Sequence, residues 1–240
     1  MLAGFVLQRT WIVLQEKQIP YQYIEVNPYQ KPASLLSLNP RGLVPTLSCP
    51  QPSGQSKPLY ESNIINEYLD EAYADNAPQL FPSDLYEKAR AKIWIDFVTS
   101  RVIPAFHRFL QFQGEEEINE ARRDFLGHLK EFTRAMDGEG PYFFGKQLMM
   151  PDVALAPWAM RLWPFDHFKG GLGIPEAGEG GEDEQIWQRW RKWLDAVGSR
   201  SSVRDVMSEK EYYLPIYKRY ADNVAQSELA KATRAGRGVP

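Results

Sequence analysis

The chain has 240 residues, 43% apolar and 25% charged, with a formal net charge of −3. Such a composition belongs to a globular protein that buries a sizeable core, in one large domain or two small ones. A mean hydropathy of −0.46 and the lack of any apolar run near 20 residues exclude a membrane-spanning helix. The slightly acidic balance gives no pull toward nucleic acid. One cysteine, Cys49, excludes an internal disulfide and any multi-cysteine metal site. The apolar start meets Arg9 early and lacks a basic leader, so it reads as a helix rather than a signal peptide, and the cytoplasm is the expected location. With 7 Trp, 12 Tyr and 12 Phe, a helical core or pocket with flat apolar walls is expected.

Residues 5–17 carry Val6, Leu7, Thr10, Trp11 and Leu14 near helical spacing, and Gln18-Ile19-Pro20 ends the helix. Residues 21–26, aromatic and β-branched, predict a strand. Residues 32–38 suit one or two helical turns, and Asn39-Pro40-Arg41-Gly42 is a turn by composition. Residues 43–47 predict a short strand with Pro45 inside it. A proline there donates no ladder hydrogen bond, so it marks an edge, a bulge or a cis bond. Residues 51–57 predict a hairpin loop and Leu59-Tyr60 the return strand. Ile64, Ile65, Tyr68, Leu69 and Ala72 then share one helical face, with Ser62 in the N-cap place.

Residues 75–83 form a proline-bearing connector, and the periodicity beyond it is helical. Residues 86–103 carry a stripe of Ala89, Ile93, Trp94, Phe97 and Val98; residues 115–136 predict a charged amphipathic helix; residues 151–162 are apolar on most sides, as in a buried helix. Trp187, Trp190, Trp193, Leu194 and Val197 form a further stripe, and residues 170–184, rich in Gly and Glu, predict a surface loop. After Ala225 no apolar periodicity remains, so the end of the chain is expected to fray. The layout is a domain at 1–73, a linker at 74–84, an all-helical domain at 85–225 and a flexible tail at 226–240.

Phosphate-binding and nucleophile-elbow signatures are absent, and the glycine clusters at 170–173 and 178–181 follow no strand, so they read as loop. His107, His128 and His167 have no metal-ligand spacing, and no metal is expected. The run Glu115-Glu116-Glu117 suits a solvated helix start better than paired acid–base catalysis.

The α/β-then-all-α order, with Leu43-Val44-Pro45 followed by Tyr60-Glu61-Ser62 opening a helix, resembles the glutathione S-transferases. The string from Gln8 to Leu47 is most similar to omega-like members of fungal type, and the resemblance covers nearly the whole chain. It implies a thioredoxin-like α/β N-terminal domain that binds glutathione, and an all-α C-terminal domain that helps to form an apolar co-substrate pocket. It also implies a homodimer with no nucleic-acid or membrane partner.

Glutathione carries a carboxylate and an ammonium at its γ-glutamyl end, a central thiol and a glycyl carboxylate. Ser62 at a helix start offers a hydroxyl and free amides to a carboxylate, and Glu61 can pair with the ammonium. Val44 can present its backbone to the cysteinyl part as an added strand would. The resemblance implies that Pro45 follows a cis bond and that Lys31 meets the glycyl carboxylate. Each residue also has an ordinary reading: Ser62 a cap, Glu61 a dipole partner, Lys31 a surface charge. In register around a strand proline, the ligand reading is favoured. Trp94, Phe97, His107, Trp158 and Trp163 are the expected co-substrate wall. Arg9 reads as a structural or interface residue.

The chain departs from the omega pattern in three places. The position of the family's nucleophilic cysteine is matched by Gly4, with Phe5 in the following proline position, and Cys49 reads as an inert thiol. The family's first strand, paired inside the sheet, has only Met1–Ala3 to supply it. Three residues span roughly 10 Å, about half a typical strand, so the reading is a first domain with its first strand missing and a shortened N-terminus. Met149 stands where a serine or threonine would complete a capping box with Asp152, a loss of about 0.5–2 kcal/mol. Two functions follow. The first is conjugation of glutathione to an apolar electrophile, its thiolate stabilised at the first helix, with disulfide or dehydroascorbate reduction disfavoured at Gly4. The alternative is a non-catalytic glutathione-binding or scaffold protein of the same fold.

Overall fold

The computed structural model describes residues 4–27 and 30–237; the short first strand expected on Met1–Ala3 lies outside them. The chain separates into one unit that ends at Leu80 and another that starts at Phe81.

In the first unit, helix α1 (Phe5–Glu16) buries Ile12, Val13 and Leu14. They pack with Ile65 and Leu69 of α3 (Ser62–Ala72). Pro32 presets the backbone for the short α2 (Ala33–Leu38), which Asn39 ends. Strands β1 (Thr46–Pro50) and β2 (Ser56–Tyr60) pair antiparallel, from Thr46 opposite Tyr60 to Pro50 opposite Ser56. Gly54, at φ +79°, turns the hairpin. Among the described residues this two-stranded sheet is the whole ladder.

The expected strand at 21–26 does not form. A strand needs a partner ladder, and this segment instead lays its aromatic side chains on α1. Tyr23 stacks on Trp11 with ring centroids 5.1 Å apart, and the Tyr21 hydroxyl accepts hydrogen bonds from Trp11 Nε1 and Gln15 Nε2. The strand expected at 43–47 starts later, at Thr46, because residues 43–45 stay outside the ladder.

The fully buried Lys17 closes the unit. Its ammonium donates to Asp70 (3.0 Å) and to the carbonyls of Asn76 (2.9 Å) and Pro78 (3.2 Å). Asp70 also accepts from the Leu80 amide at 2.9 Å. A buried ion pair persists only with such additional partners, because desolvation otherwise exceeds its Coulombic gain.

The second unit is helical: α4 (Leu85–Phe97), a π-helical turn (Val98–Val102), α5 (Ile103–Gln111), α6 (Glu115–Arg134), α7 (Met150–Ala159), α8 (Trp163–Phe168), α9 (Glu184–Ser199), α10 (Ser201–Arg204), α11 (Lys210–Ala221) and α12 (Glu228–Arg234). Asp84 caps α4 by accepting from the Glu87 amide. The core is aromatic: Phe106, Phe125 and Phe165 are mutual neighbours, and Phe132, Phe143, Trp190 and Trp193 continue it. All ten residues of α7 are buried.

Two expectations are corrected here. The stripe on α4 is partly out of phase: Val98 is buried and Trp94 turns inward as expected, but Ala91 and Ile95 also face inward, while Ile93 is 65% exposed. Apolar residues on both sides of α4 gave its periodicity no single solution. The tail expected to be flexible from 226 holds α12, whose Ala230, Ala232 and Thr233 are buried and which packs on α5. Its cap is Ser227, which accepts from the Ala230 amide. Small side chains let α12 lie close without the large apolar stripe that marks a helix in sequence.

Candidate functional site

The site is built on the turn at 39–42. The Gly42 amide donates to the Asn39 carbonyl (2.7 Å), and the buried Asn39 side chain accepts from the Arg41 amide and donates to the Leu43 carbonyl. Gly42 sits at φ +60°, and a Cβ there would lie 2.6 Å from Lys31 Cδ. Glycine therefore serves twice: it adopts the left-handed conformation, and it lets the Lys31 stem cross the turn. The Lys31 ammonium then donates to the Arg41 carbonyl at 3.1 Å.

Just beyond the turn, the Val44–Pro45 peptide bond is cis. Val44 is 40% exposed, and its N–H and C=O have no hydrogen-bond partner among the described residues. Backbone groups so placed can accept an extended peptide.

Glu61, not Ser62, occupies the N-cap of α3, at φ 71° and ψ 111° with no side-chain cap bond. Ser62 opens the helix as its first residue and is buried. The expected cap thus moves back by one, because the chain turns into α3 at Glu61. The first amides of α3 lack intrahelical acceptors, and the Ser62 hydroxyl stands beside them. The Glu61 carboxylate accepts from Arg41 Nη1 at 2.9 Å, both side chains about half exposed. Lys31 and Glu61 are therefore joined through Arg41, a residue the sequence placed only in a turn.

At the start of α1, Gly4 takes the N-cap position with ordinary extended dihedrals, φ −67° and ψ 154°. A Cβ built there meets nothing within 4 Å. Arg9 is buried and donates to Asn63 Oδ1 on α3 at 3.3 Å, and burial pushes its guanidinium down to about 9. Cys49 is a buried free thiol, pushed up by burial against the opposing effect of a Tyr68 hydrogen bond. Neither its place on β1 nor its titration suits a nucleophile.

In the second unit the five expected co-substrate residues do not make one wall. Trp94 packs on Phe97, Phe132 and Phe143, and Phe97 on His128. Trp158 is buried within α7. His107 and Trp163 share a neighbouring element, α11: His107 meets Tyr220 (5.6 Å) and Trp163 meets Tyr217 (5.5 Å). Helical phase decides this, since α4 turns Trp94 inward to α6.

The sequence reading missed the polar members of that neighbourhood. Arg161 donates to the Tyr213 hydroxyl at 2.6 Å and lies over its ring. Burial raises the Tyr213 phenol, but Arg161 and the Ser208 amide outweigh it and hold the group below its usual value. Tyr217 is pushed up by burial. A polar residue at the end of the otherwise apolar 151–162 run was the available signal for Arg161. Among the described residues, no group of three or more His, Cys, Asp or Glu side chains could hold a metal ion. No helix among them is long and apolar enough to cross a membrane.

Comparison with known proteins supplies the frame for this geometry. The family model of the glutathione S-transferase N-terminal domain matches residues 6–72, and that of the C-terminal domain matches residues 115–196. The chain is 33% identical over 161 residues to the probable glutathione S-transferase parC of Nicotiana tabacum, covering 67% of this chain and 70% of that protein. It is 36% identical over 159 residues to glutathione S-transferase omega-1 of Sus scrofa, covering 65% and 62%. The chain thus spans about two thirds of the length of these curated relatives. The crystal structure of glutathione transferase Omega 3C from Trametes versicolor superposes with a TM-score of 0.77 at 37% identity, covering 94% of this chain and 91% of that one. Both halves of the chain match in order and omega-class proteins stand among its relatives, so the chain belongs to the glutathione S-transferase family.

Proposed function

We propose that the first unit binds glutathione, with Lys31 toward the glycyl carboxylate, the Val44 backbone along the cysteinyl residue, and Glu61 and Ser62 at the γ-glutamyl end. The observation that carries this reading is the Val44 backbone, unpartnered among the described residues and three positions after Arg41, which accepts from Lys31 and donates to Glu61. The bound thiol faces a helix start with no nucleophile of its own, so mixed-disulfide chemistry on Gly4 is ruled out by composition. The first turn of α1 instead favours the thiolate, and the thiolate attacks an apolar or aromatic electrophile. The aromatic groups around α11, Trp163, Tyr213 and Tyr217, with Arg161, are the co-substrate residues we favour in the second unit.

The chain acts as a homodimer in this reading. Leu85 (81% exposed), Tyr86 (75%) and Ile93 put apolar area on the outer face of α4, larger side chains than an isolated surface helix needs. A single cysteine fits the reducing cytoplasm.

The test is glutathione conjugation to an aryl halide, run beside reduction of a glutathione mixed disulfide. Conjugation without reduction is expected. Reduction without conjugation overturns the assignment. Retention on immobilised glutathione with neither activity selects the second reading, a non-catalytic binding protein, which the glycine at residue 4 favours.

A further inference from the structure

We propose that Arg41 is a positioning residue that aims the Glu61 carboxylate at the ligand's γ-glutamyl ammonium; this rests on the glutathione reading above. A glutamate at a helix N-cap has a strong local alternative. Its carboxylate can fold back onto the unpaired amides of its own helix, toward the positive end of the dipole. In this structure it does not: the Glu61 side chain makes no cap bond and reaches instead to Arg41 Nη1 at 2.9 Å. One carboxylate oxygen, Oε1, takes that bond, which leaves Oε2 for a second donor. The backbone of Glu61, at φ 71° and ψ 111°, belongs to a region that non-glycine residues occupy rarely and chiefly at functional sites.

Arg41 is itself held from both sides. Its amide donates to Asn39 Oδ1 (3.1 Å), its carbonyl accepts from Lys31 (3.1 Å), and Gly42 closes the turn behind it. The guanidinium therefore projects from a fixed point, three residues before the Val44 backbone, which is unpartnered among the described residues. One residue couples the cation expected at the glycyl end to the anion expected at the γ-glutamyl end. Both members of the Arg41–Glu61 pair are about half exposed, so the pair contributes little to stability. Its consequence is selectivity for a ligand that carries an ammonium.

The test is calorimetric titration of the full chain with glutathione and with its des-amino analogue, glutaryl-cysteinyl-glycine. The variants are Arg41→Met, Arg41→Lys, Glu61→Gln and the Arg41→Met/Glu61→Gln pair. Arg41→Met should weaken glutathione about two- to fivefold and leave the analogue within the error of the parent. Arg41→Lys should restore most of the loss, since a single donor suffices for the observed bond. Glu61→Gln should cost about tenfold or more, and the double variant should lose no more than Glu61→Gln alone. Equal weakening of both ligands, losses that multiply in the double variant, or parent-like binding by Arg41→Met would each overturn the assignment. Failure of the parent itself to bind millimolar glutathione overturns the glutathione reading, and this inference with it; that outcome is distinct, because it precedes any variant.

Discussion

The two units solve the same problem with different materials. Among its described residues the unit ending at Leu80 has a two-stranded ladder and three helices, and a polar knot closes it: Lys17, Asp70, Asn76, Pro78 and Leu80. The unit beginning at Phe81 is held by interlocked rings, with six of the seven tryptophans and a fully buried α7. A polar knot is all-or-none, since removal of one member strands the others in a dry site. An aromatic core loses stability in steps, ring by ring. The groups proposed to bind glutathione lie in the first kind of structure, where a single substitution does most harm.

The largest expected effect follows directly. Lys17→Met leaves Asp70 buried without its cation and frees two carbonyls, at a cost of about 3–5 kcal/mol. Proteolysis within residues 4–80 should accelerate. Tryptophan fluorescence, which reports mainly on the second unit, should keep its midpoint. Loss of both signals together would mean that the units do not differ in the way described.

The second effect sharpens the comparison from the helical side. His107 is buried, and burial pushes its imidazole down to about 3 from an ordinary 6.5. Its folded-state value lies below the unfolded one, so the stability it contributes is complete above pH 6.5. That contribution is lost as pH falls toward 3. At pH 4.5 the loss is about 3 kcal/mol, at 1.4 kcal/mol per unit. Asp152 acts in the opposite sense. Burial pushes it up to about 6, against hydrogen bonds from Met149, Trp193 and Phe143, so its contribution is present in acid and lost as pH rises through 6. The difference between His107→Phe and the parent isolates the histidine: unfolding free energies from urea titration should separate by about 3 kcal/mol in favour of the variant between pH 7.5 and 4.5. A constant difference across that range would remove His107 from the account.

A smaller effect concerns the start of α7. Asp152 accepts from the Met149 amide at 2.8 Å, and the Met149 side chain accepts in return from the Asp152 amide, so the capping box expected to be incomplete is closed, with sulfur in place of a hydroxyl. Met149→Thr should replace that weak acceptor by a strong one and stabilise the helical unit by about 1 kcal/mol. Unchanged stability would show that the methionine's packing and sulfur contact are worth as much as a hydroxyl cap.

These sites also show what was legible in the sequence. Pro45 within an apolar run pointed to a special backbone, and the Val44–Pro45 bond is cis; of the expected ligand residues, Lys31 and Glu61 both meet Arg41. Local chemistry and order along the chain were enough for that. The Arg41–Glu61 pair was not legible, because it joins residues twenty apart through a side-chain geometry that no periodicity encodes. The segment at 21–26 has the composition of a strand, yet a strand is a pairing and no partner lies beside it among the described residues. The co-substrate wall failed for a third reason. Trp94 and Trp163 both looked like pocket residues until helical phase turned Trp94 toward Phe132 and Phe143, and Trp163 toward Tyr217 of α11.

The last prediction is the smallest in energy and bears most on the chemistry. Gly4 stands at the N-cap of α1 with dihedrals open to any residue and empty space where a Cβ would go, so Gly4→Cys should fold as the parent does. The thiolate would sit at the positive end of α1, favoured by about 0.3–1 kcal/mol, which lowers the thiol by less than one unit from about 8.5. The parent offers only Cys49, which is buried and pushed up, and should react slowly with an aromatic disulfide. The variant should gain one fast thiol whose rate falls off only below its lowered pKa. If that thiol titrates at or above the ordinary value, the start of α1 carries no useful field, and the same measurement removes thiolate stabilisation there from the proposed conjugation chemistry.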